Sequence, residues 1–253
     1  AQGALVHYLY YPILVELTEA EADRYALLTQ KIGRLAAMQT SQTEPDDSLK
    51  SLLMQRSRLI GNAANKLEAL RSLMINRLDT AHTLFYCGDG TVEDEVSQES
   101  YRHLEAVTRL LGKELGYRVN TYTAETTLDE REDLRQQFET GALQGLVAIR
   151  CLDEGVDIPA TQTAVILASS GNPRQFIQRR GRVLRRAPGK QRATIFDMIV
   201  MPPDLSGETL DVERSLLQKE LKRFVEFAQL ADNAGEARVK LLELQKRYHL
   251  MDM

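Results

Sequence analysis

From residue 83 onward, short apolar runs alternate with segments of helical periodicity, and this alternation constrains the fold more than any other feature. Such alternation is typical of βαβ units, in which consecutive strands lie parallel. The predicted strands cover residues 83–87, 117–122, 146–150, 163–168 and 193–200. We therefore expect an α/β domain over residues 81–201, with a mainly parallel sheet of five or six strands flanked by helices.

The segments on either side of this domain have different patterns. Residues 1–17 are rich in β-branched and aromatic residues but contain Pro12, which predicts a strap, a linker or a strand at a sheet edge. Thr18 and Glu21 have the spacing of a capping box, and apolar residues then recur at helical spacing, so residues 18–80 are predicted to form a helical hairpin. Residues 202–253 are predicted to form a helical extension. The tyrosines at 8, 10 and 11 either pack in the extended segment or stack on bases.

Charge and composition exclude several classes of protein. The 253 residues carry a net charge of -4, whereas general binders of polyanions are usually basic. No apolar run reaches the roughly 18 residues of a membrane helix, and the first residues lack a basic start followed by an apolar core. Cys87 and Cys151 have no zinc-ligand spacing, so no metal site is expected. We predict a cytoplasmic protein without a membrane partner.

One stretch of this acidic chain is strongly basic. Between Asn172 and Arg192 there is no acidic residue, whereas a solvated helix face usually mixes both signs of charge. The interpretation as a solvated face stays open, but a phosphate partner is favoured. The basic residues are Arg174, Arg179, Arg180, Arg182, Arg185, Arg186, Lys190 and Arg192.

Four short motifs, which follow one another between residues 83 and 186 in the order expected of one helicase family, give the chain a resemblance to that family. Residues 178–185 (QRRGRVLR) match Q-x-x-G-R-x-x-R, which is motif VI of the superfamily 2 helicases and translocases, and residues 152–159 (LDEGVDIP) resemble their motif V. Residues 83–87 (TLFYC) are similar to motif IV, and residues 123–131 resemble the T-to-ER element that follows it. The resemblance implies the RecA-like form of the parallel sheet. A helical hairpin followed by such a domain resembles the arrangement in the DNA repair and restriction-type DEAD/DEAH helicases of bacteria and phages.

The resemblance implies a role for five residues toward a nucleotide. Arg182 and Arg185 match the motif VI arginines that act on the γ-phosphate; three residues apart on a helix, they would share one face, separated by roughly 4.5 Å of rise. Gln178 matches the first position of the motif, which bridges toward a facing domain. Gly155 and Asp157 match the motif V residues beside the nucleotide, where a carboxylate accepts a ribose hydroxyl.

The ends of the predicted strands are candidates for contacts with nucleic acid, because open α/β sheets bind ligands at their carboxyl edge. The candidates are Cys87, Gly88, Thr123, Arg150 and Ser169. At the start of motif V, many relatives have a threonine whose hydroxyl contacts a nucleic-acid phosphate, whereas this chain has Ile149 followed by Arg150. The charge of Arg150 either replaces that hydroxyl contact or pairs with Asp153. Tight-turn chemistry is an alternative explanation for Gly88 and Ser169.

Two elements of a complete motor are missing from the sequence. It contains no G-x-x-x-x-G-K-[ST] phosphate loop and no D-E-x-[HD] box to hold magnesium. The chain is therefore predicted to be the second lobe of a longer ATP-dependent DNA helicase or translocase. ATP and Mg²⁺ would be held mainly by a first RecA-like lobe of the same parent, and the isolated chain would be inactive. DNA is favoured over RNA as the second partner. The alternatives are a non-catalytic adaptor that binds nucleic acid and a nucleotide-binding regulatory domain.

Overall fold

The computed structural model describes residues 6–38, 47–87, 98–123, 125–149, 158–168, 183–203 and 210–251. Within these residues, six strands form one sheet in which every pairing is parallel. The strands are β1 (His7–Glu16), β2 (Thr83–Tyr86), β3 (Val119–Tyr122), β4 (Gly145–Ala148), β5 (Thr163–Ile166) and β6 (Arg192–Met201), in the spatial order β1-β6-β5-β2-β4-β3. The five strands predicted from residue 83 onward are confirmed.

Seven described helices surround or precede this sheet. They are α1 (Glu19–Met38), α2 (Asp47–Gly61), α3 (Asn65–Met74), α4 (Gln98–Arg109), α5 (Leu128–Thr140), α6 (Leu210–Gln229) and α7 (Ala234–Arg247). A π-helical turn, Leu110–Glu114, continues α4. None of the described helices has an apolar stretch long enough to cross a membrane.

The side chains of the central strands alternate between two cores, as the period of a strand requires. Leu84 and Tyr86 point to the core covered by α5, α6 and α7. Phe85 and Cys87 point to the opposite core, which is covered by α3 and α4. The sheet is therefore buried on both faces, which explains why its strands are continuous apolar runs.

The sequence signals for helix ends are reproduced in the structure. Thr127 and Glu130 form a capping box at the start of α5, with the side chain of each residue bonded to the backbone N–H of the other. Thr18 and Glu21 make the same reciprocal pair before α1, at 3.0 and 3.4 Å. Gly141 ends α5 at φ 77°, a conformation that residues with a Cβ rarely adopt.

The N-terminal segment joins the sheet more closely than a strap or linker would. Residues His7–Glu16 pair with Arg192–Met201 over their full length, which makes β1 an edge strand. Pro12 is tolerated because an edge strand has one side without a partner. Tyr8 stacks on Phe227 at 4.6 Å, and Tyr10 meets the same ring edge-on at 4.7 Å. These two tyrosines are buried, so the packing interpretation is the correct one for them.

The segment predicted as a helical hairpin contains three helices. α1 and α2 pack against each other, while α3 supplies Leu70 and Met74 to the sheet core. A buried ionic cluster joins α1 and α2 to the C-terminal helix α6. Arg56 lies 2.9 Å from Glu220 and 3.5 Å from Glu213, and its guanidinium donates to the Tyr25 hydroxyl at 2.7 Å. Hydrogen bonds and ion pairs thus join the hairpin to α6.

Candidate functional site

The carboxyl ends of four strands form one continuous edge, held by backbone hydrogen bonds. The Ile149 N–H donates to the Tyr122 carbonyl at 3.4 Å, which links β4 to β3. The Cys87 N–H donates to Ala148 at 2.8 Å and the Leu167 N–H donates to Tyr86 at 2.9 Å, which link β2 to β4 and β5 to β2. The chain therefore leaves β3, β4, β2 and β5 side by side, at the edge where parallel sheets bind ligands.

The five residues predicted to contact nucleic acid come at or just after the ends of the predicted strands in the sequence. Only two of the five are among the described residues. Cys87 and Thr123 follow β2 and β3, whereas Gly88, Arg150 and Ser169 lie outside the described residues. The Cys87 thiol points into the core beside α3 and α4, and burial raises its pKa to about 12. The Cys87 N–H is donated to the Ala148 carbonyl, so its two donors are used within the sheet and directed into the core.

Thr123 begins a turn that Arg131 holds in place. The Thr123 N–H donates to the Thr126 hydroxyl at 3.0 Å, and the Thr123 carbonyl accepts from Arg131 at 3.3 Å. Arg131 also donates to the Thr126 carbonyl at 2.9 Å, and its guanidinium lies 5.6 Å from the centre of the Tyr122 ring. This arginine of the T-to-ER element thus fixes the turn after β3.

Four of the five residues predicted to act on a nucleotide lie outside the described residues: Gln178, Arg182, Gly155 and Asp157. Arg185 is described, and it is exposed, while the two residues before it are buried. Leu184 accepts from the Val6 N–H at 2.8 Å, which fixes this segment beside β1. Motif VI therefore ends in a chain segment that is anchored to the core and presents an arginine at the surface.

Two members of the basic run have structural roles, which corrects the interpretation of the whole run as a phosphate site. Lys190 is buried, and its ammonium donates to the carbonyls of Val183 and, at 3.3 Å, of Pro159. Arg192 pairs with Asp232 at 3.1 Å. Lys190 thereby stabilises the chain beside motif VI instead of meeting a ligand.

Sequence reasoning missed a second buried lysine directly beneath the edge. Lys66 is completely buried, and its ammonium donates to the carbonyl of Leu167 and, at 3.5 Å, to that of Gly61. Burial lowers its pKa to about 8, although the negative charges of Asp197 and Glu21 oppose this shift. A lysine in an amphipathic helix is normally predicted to lie at the surface, so this role could not be predicted from the sequence. Among the described residues, no group of His, Cys, Asp and Glu side chains could hold a metal ion.

Comparison with known proteins agrees with this architecture. Residues 65–187 match the family described as helicase conserved C-terminal domain. The DNA 3'-5' translocase XPB2 of Sulfurisphaera tokodaii is 28% identical over 182 residues, which are 69% of this chain and 39% of the translocase. A putative DNA 3'-5' helicase Rad25 of Halobacterium salinarum is 46% identical over 68 residues, 26% of this chain and 11% of that helicase. The chain thus spans less than half the length of these relatives.

Two solved structures share the fold at low sequence identity. The Sulfolobus solfataricus SWI2/SNF2 ATPase core, solved in complex with dsDNA, has a TM-score of 0.59 and 13% identity over 94% of this chain and 49% of that chain. The C-terminal domain of the Sulfolobus solfataricus SWI2/SNF2 ATPase has a TM-score of 0.54 and 12% identity over 96% of this chain and 99% of that chain.

The six-stranded parallel sheet with helices on both faces is a RecA-like fold, which the chain shares with the SWI2/SNF2 ATPase C-terminal domain. Within this fold, residues 65–187 are similar to the family described as helicase conserved C-terminal domain. The family resemblance and the fold class inferred from the motifs are confirmed.

Proposed function

We propose that this chain is the second motor lobe of an ATP-dependent DNA helicase or translocase and works with a first RecA-like lobe of the same parent protein. The observation that carries this proposal is the shared carboxyl edge of β3, β4, β2 and β5 in a domain that matches the helicase C-terminal family. Its relatives include proteins described as a DNA translocase and a DNA helicase. We expect the parent to be cytoplasmic.

In this proposal the first lobe holds ATP and Mg²⁺, and the present lobe contributes positively charged arginines that contact the γ-phosphate of that ATP. Arg182 and Arg185 would bind oxygens of the γ-phosphate as negative charge develops there, and their guanidinium groups stay charged at any physiological pH. Asp157 would accept a ribose hydroxyl, Gly155 would allow close approach of the backbone, and Gln178 would contact the first lobe. No tight binding of ATP to the isolated chain is expected, because it has no phosphate loop.

The nucleic-acid track would run along the carboxyl edge of the sheet. Gly88, Thr123, Arg150 and Ser169 would contact backbone phosphates there, while Cys87 would position its neighbours. Contacts to the backbone carry no base information, so binding without sequence preference is expected. The alternative adaptor function would use the same basic stretch without hydrolysis, and the experiment below separates the two.

The test is DNA-stimulated ATP hydrolysis by the parent protein carrying Arg182→Ala or Arg185→Ala. Loss of an arginine finger lowers turnover by about 10³ to 10⁵, so each variant should fall to near background. The matched control is Arg186→Ala, which removes an exposed arginine outside the Q-x-x-G-R-x-x-R pattern and should hydrolyse ATP like the parent. The chain alone should show no hydrolysis above background with Mg²⁺ and DNA.

Two results would contradict this assignment. Parental rates in both motif VI variants would reject the arginine fingers. Hydrolysis by the isolated chain would show that it holds a complete active site, which would reject the division of the site between two lobes.

A further inference from the structure

Lys66 is a lysine with no exposed surface in a core that could have held an apolar residue. Lysine is almost never fully buried unless its charge is paired, because removing an ammonium from water is costly. Replacing a whole buried ion pair with well-packed apolar side chains is often neutral or stabilising. A lysine at this buried position is therefore better explained by the carbonyl groups that its ammonium binds than by a gain in folding stability.

The two carbonyls that Lys66 binds belong to different structural elements. Leu167 directly follows β5, and Gly61 is the last residue of α2. Leu167 also donates its N–H to Tyr86 at 2.9 Å, so it belongs to the row of backbone hydrogen bonds that joins the four strand ends. Lys66 extends this row beyond the sheet and connects it to the helical hairpin.

The charged and titratable groups around Lys66 come from four elements. Asp197 lies on β6, Glu21 on α1, the Cys87 thiol after β2 and His103 on α4. Burial raises the pKa of Cys87 to about 12, and burial together with Lys66 lowers the pKa of His103 to about 4. Both are therefore neutral between pH 7 and pH 9, whereas Lys66, with a pKa of about 8, changes charge in this interval.

We propose that Lys66 is a positioning residue for nucleic-acid binding, whose charged ammonium fixes the end of β5 against the helical hairpin and keeps the carboxyl edge in its binding arrangement. This inference rests on the proposed function, because it assumes that DNA binds along this edge. Lys66 does not touch DNA in this proposal. It acts through the Leu167 carbonyl, and the neutral amine formed at high pH holds that carbonyl less firmly.

The experiment measures the affinity of the 253-residue chain for labelled duplex DNA at pH 7 and pH 9, with the variants Lys66→Met and Lys66→Arg. A hydrogen bond from a charged donor is worth roughly tenfold in an equilibrium constant. Lys66→Met should therefore bind about tenfold more weakly at pH 7. The wild-type affinity should fall toward that of Lys66→Met at pH 9, while Lys66→Arg, which stays charged, should lose this dependence on pH.

The matched control is Lys113→Met, which removes one positive charge from an exposed lysine in the turn before β3, away from the carboxyl edge. It should keep the wild-type dependence on pH and change affinity by less than Lys66→Met does. Urea denaturation accompanies each measurement, so that affinity is compared per folded molecule even where Lys66→Met loses stability through its unsatisfied carbonyl partners. If Lys66→Met does not fold, the proposal is tested by the change in DNA affinity between pH 7 and pH 9. Wild type and Lys113→Met should show this change, and Lys66→Arg should not.

The possible failures are distinguishable. If the wild type binds DNA and neither Lys66 variant changes affinity or its dependence on pH, the positioning role is rejected and the proposed function stands. A loss of stability in Lys66→Met without loss of affinity per folded molecule would mean a purely structural lysine, which also rejects the inference. If neither the chain nor its parent binds DNA at low salt, the proposed function itself fails.

Discussion

His103 is a buried imidazole for which the described part of the chain provides no hydrogen-bond partner at either ring nitrogen. Burial lowers its pKa to about 4, from an ordinary value near 6.5. The unfolded chain therefore binds a proton between these two values that the folded chain excludes. Above pH 6.5 this group does not oppose folding, and below it the folded state loses stability as the pH falls toward 4.

We expect the wild type to lose about 2 kcal/mol of its unfolding free energy through this group between pH 7 and pH 5, since each unit of pKa shift corresponds to about 1.4 kcal/mol. The measurement is urea denaturation of wild type and His103→Leu at both values of pH. The variant should lose less stability on acidification by that amount. Equal losses in the two proteins would mean that the imidazole is protonated without cost in the folded state.

At the residue scale, the sequence predicted functional roles from charge but could not predict burial. Arg185 is exposed, as a residue that meets a ligand must be. Lys190 stands in the same basic stretch but bonds to Val183, and Lys66 bonds to Leu167, which is 101 positions away. A lysine has the same sequence signature whether it lies in solvent or beneath a sheet, because the distinction depends on distant segments that pack around it.

At the scale of elements, helix ends and buried strands were predicted well because their signals are local. The capping box at Thr127 and the apolar runs of β2, β4 and β5 need only neighbouring residues to be recognised. The pairing of β1 with β6 is different, because its register joins His7 to Arg192 across most of the chain. A segment with a proline is compatible with a linker or an edge strand until its partner is known.

The buried cluster of Arg56, Tyr25 and Glu213 yields a prediction about the hairpin. Burial raises the pKa of Glu213, although Arg56 opposes this shift. Arg56→Met would leave that carboxylate buried without its cation, which typically costs about 3 to 5 kcal/mol. The matched control is Arg71→Met, which breaks the surface ion pair with Glu114 and should cost far less, because water screens that pair.

Urea denaturation of both variants measures this difference. The double variant Arg56→Met with Glu213→Met should recover part of the loss, because both partners of the main pair are then apolar. If Arg56→Met and Arg71→Met cost the same, the cluster does not hold the hairpin to α6.

At the scale of the whole molecule, the order of the motifs and the alternation of strands and helices were enough to predict a RecA-like lobe. The six parallel strands and the matching helicase family confirm that prediction. The partners follow less directly, because the chain spans only 39% of the translocase it resembles.

We predict that the isolated chain binds DNA weakly and without sequence preference. Its net charge of -4 opposes a polyanion, and binding along one lobe uses only half of a two-lobe cleft. Sequence-independent binding usually has a dissociation constant of about 10⁻⁴ to 10⁻⁶ M, and this lobe should fall at the weak end of that range. Because the contacts are to phosphates, affinity should fall steeply as the salt concentration rises.

Titrations of labelled duplex and single-stranded DNA at several salt concentrations test this prediction, with Arg150→Ala and Arg182→Ala compared side by side. Removing a phosphate contact reduces the slope of log affinity against log salt by about one. Arg150→Ala should therefore weaken binding and flatten the slope, whereas Arg182→Ala should leave both nearly unchanged, because its proposed target is ATP. Tight binding that resists salt would contradict this prediction, and so would binding that depends on Arg182 but not on Arg150. Either result would favour an adaptor that binds nucleic acid through the basic stretch over a motor lobe in which that stretch binds the nucleotide.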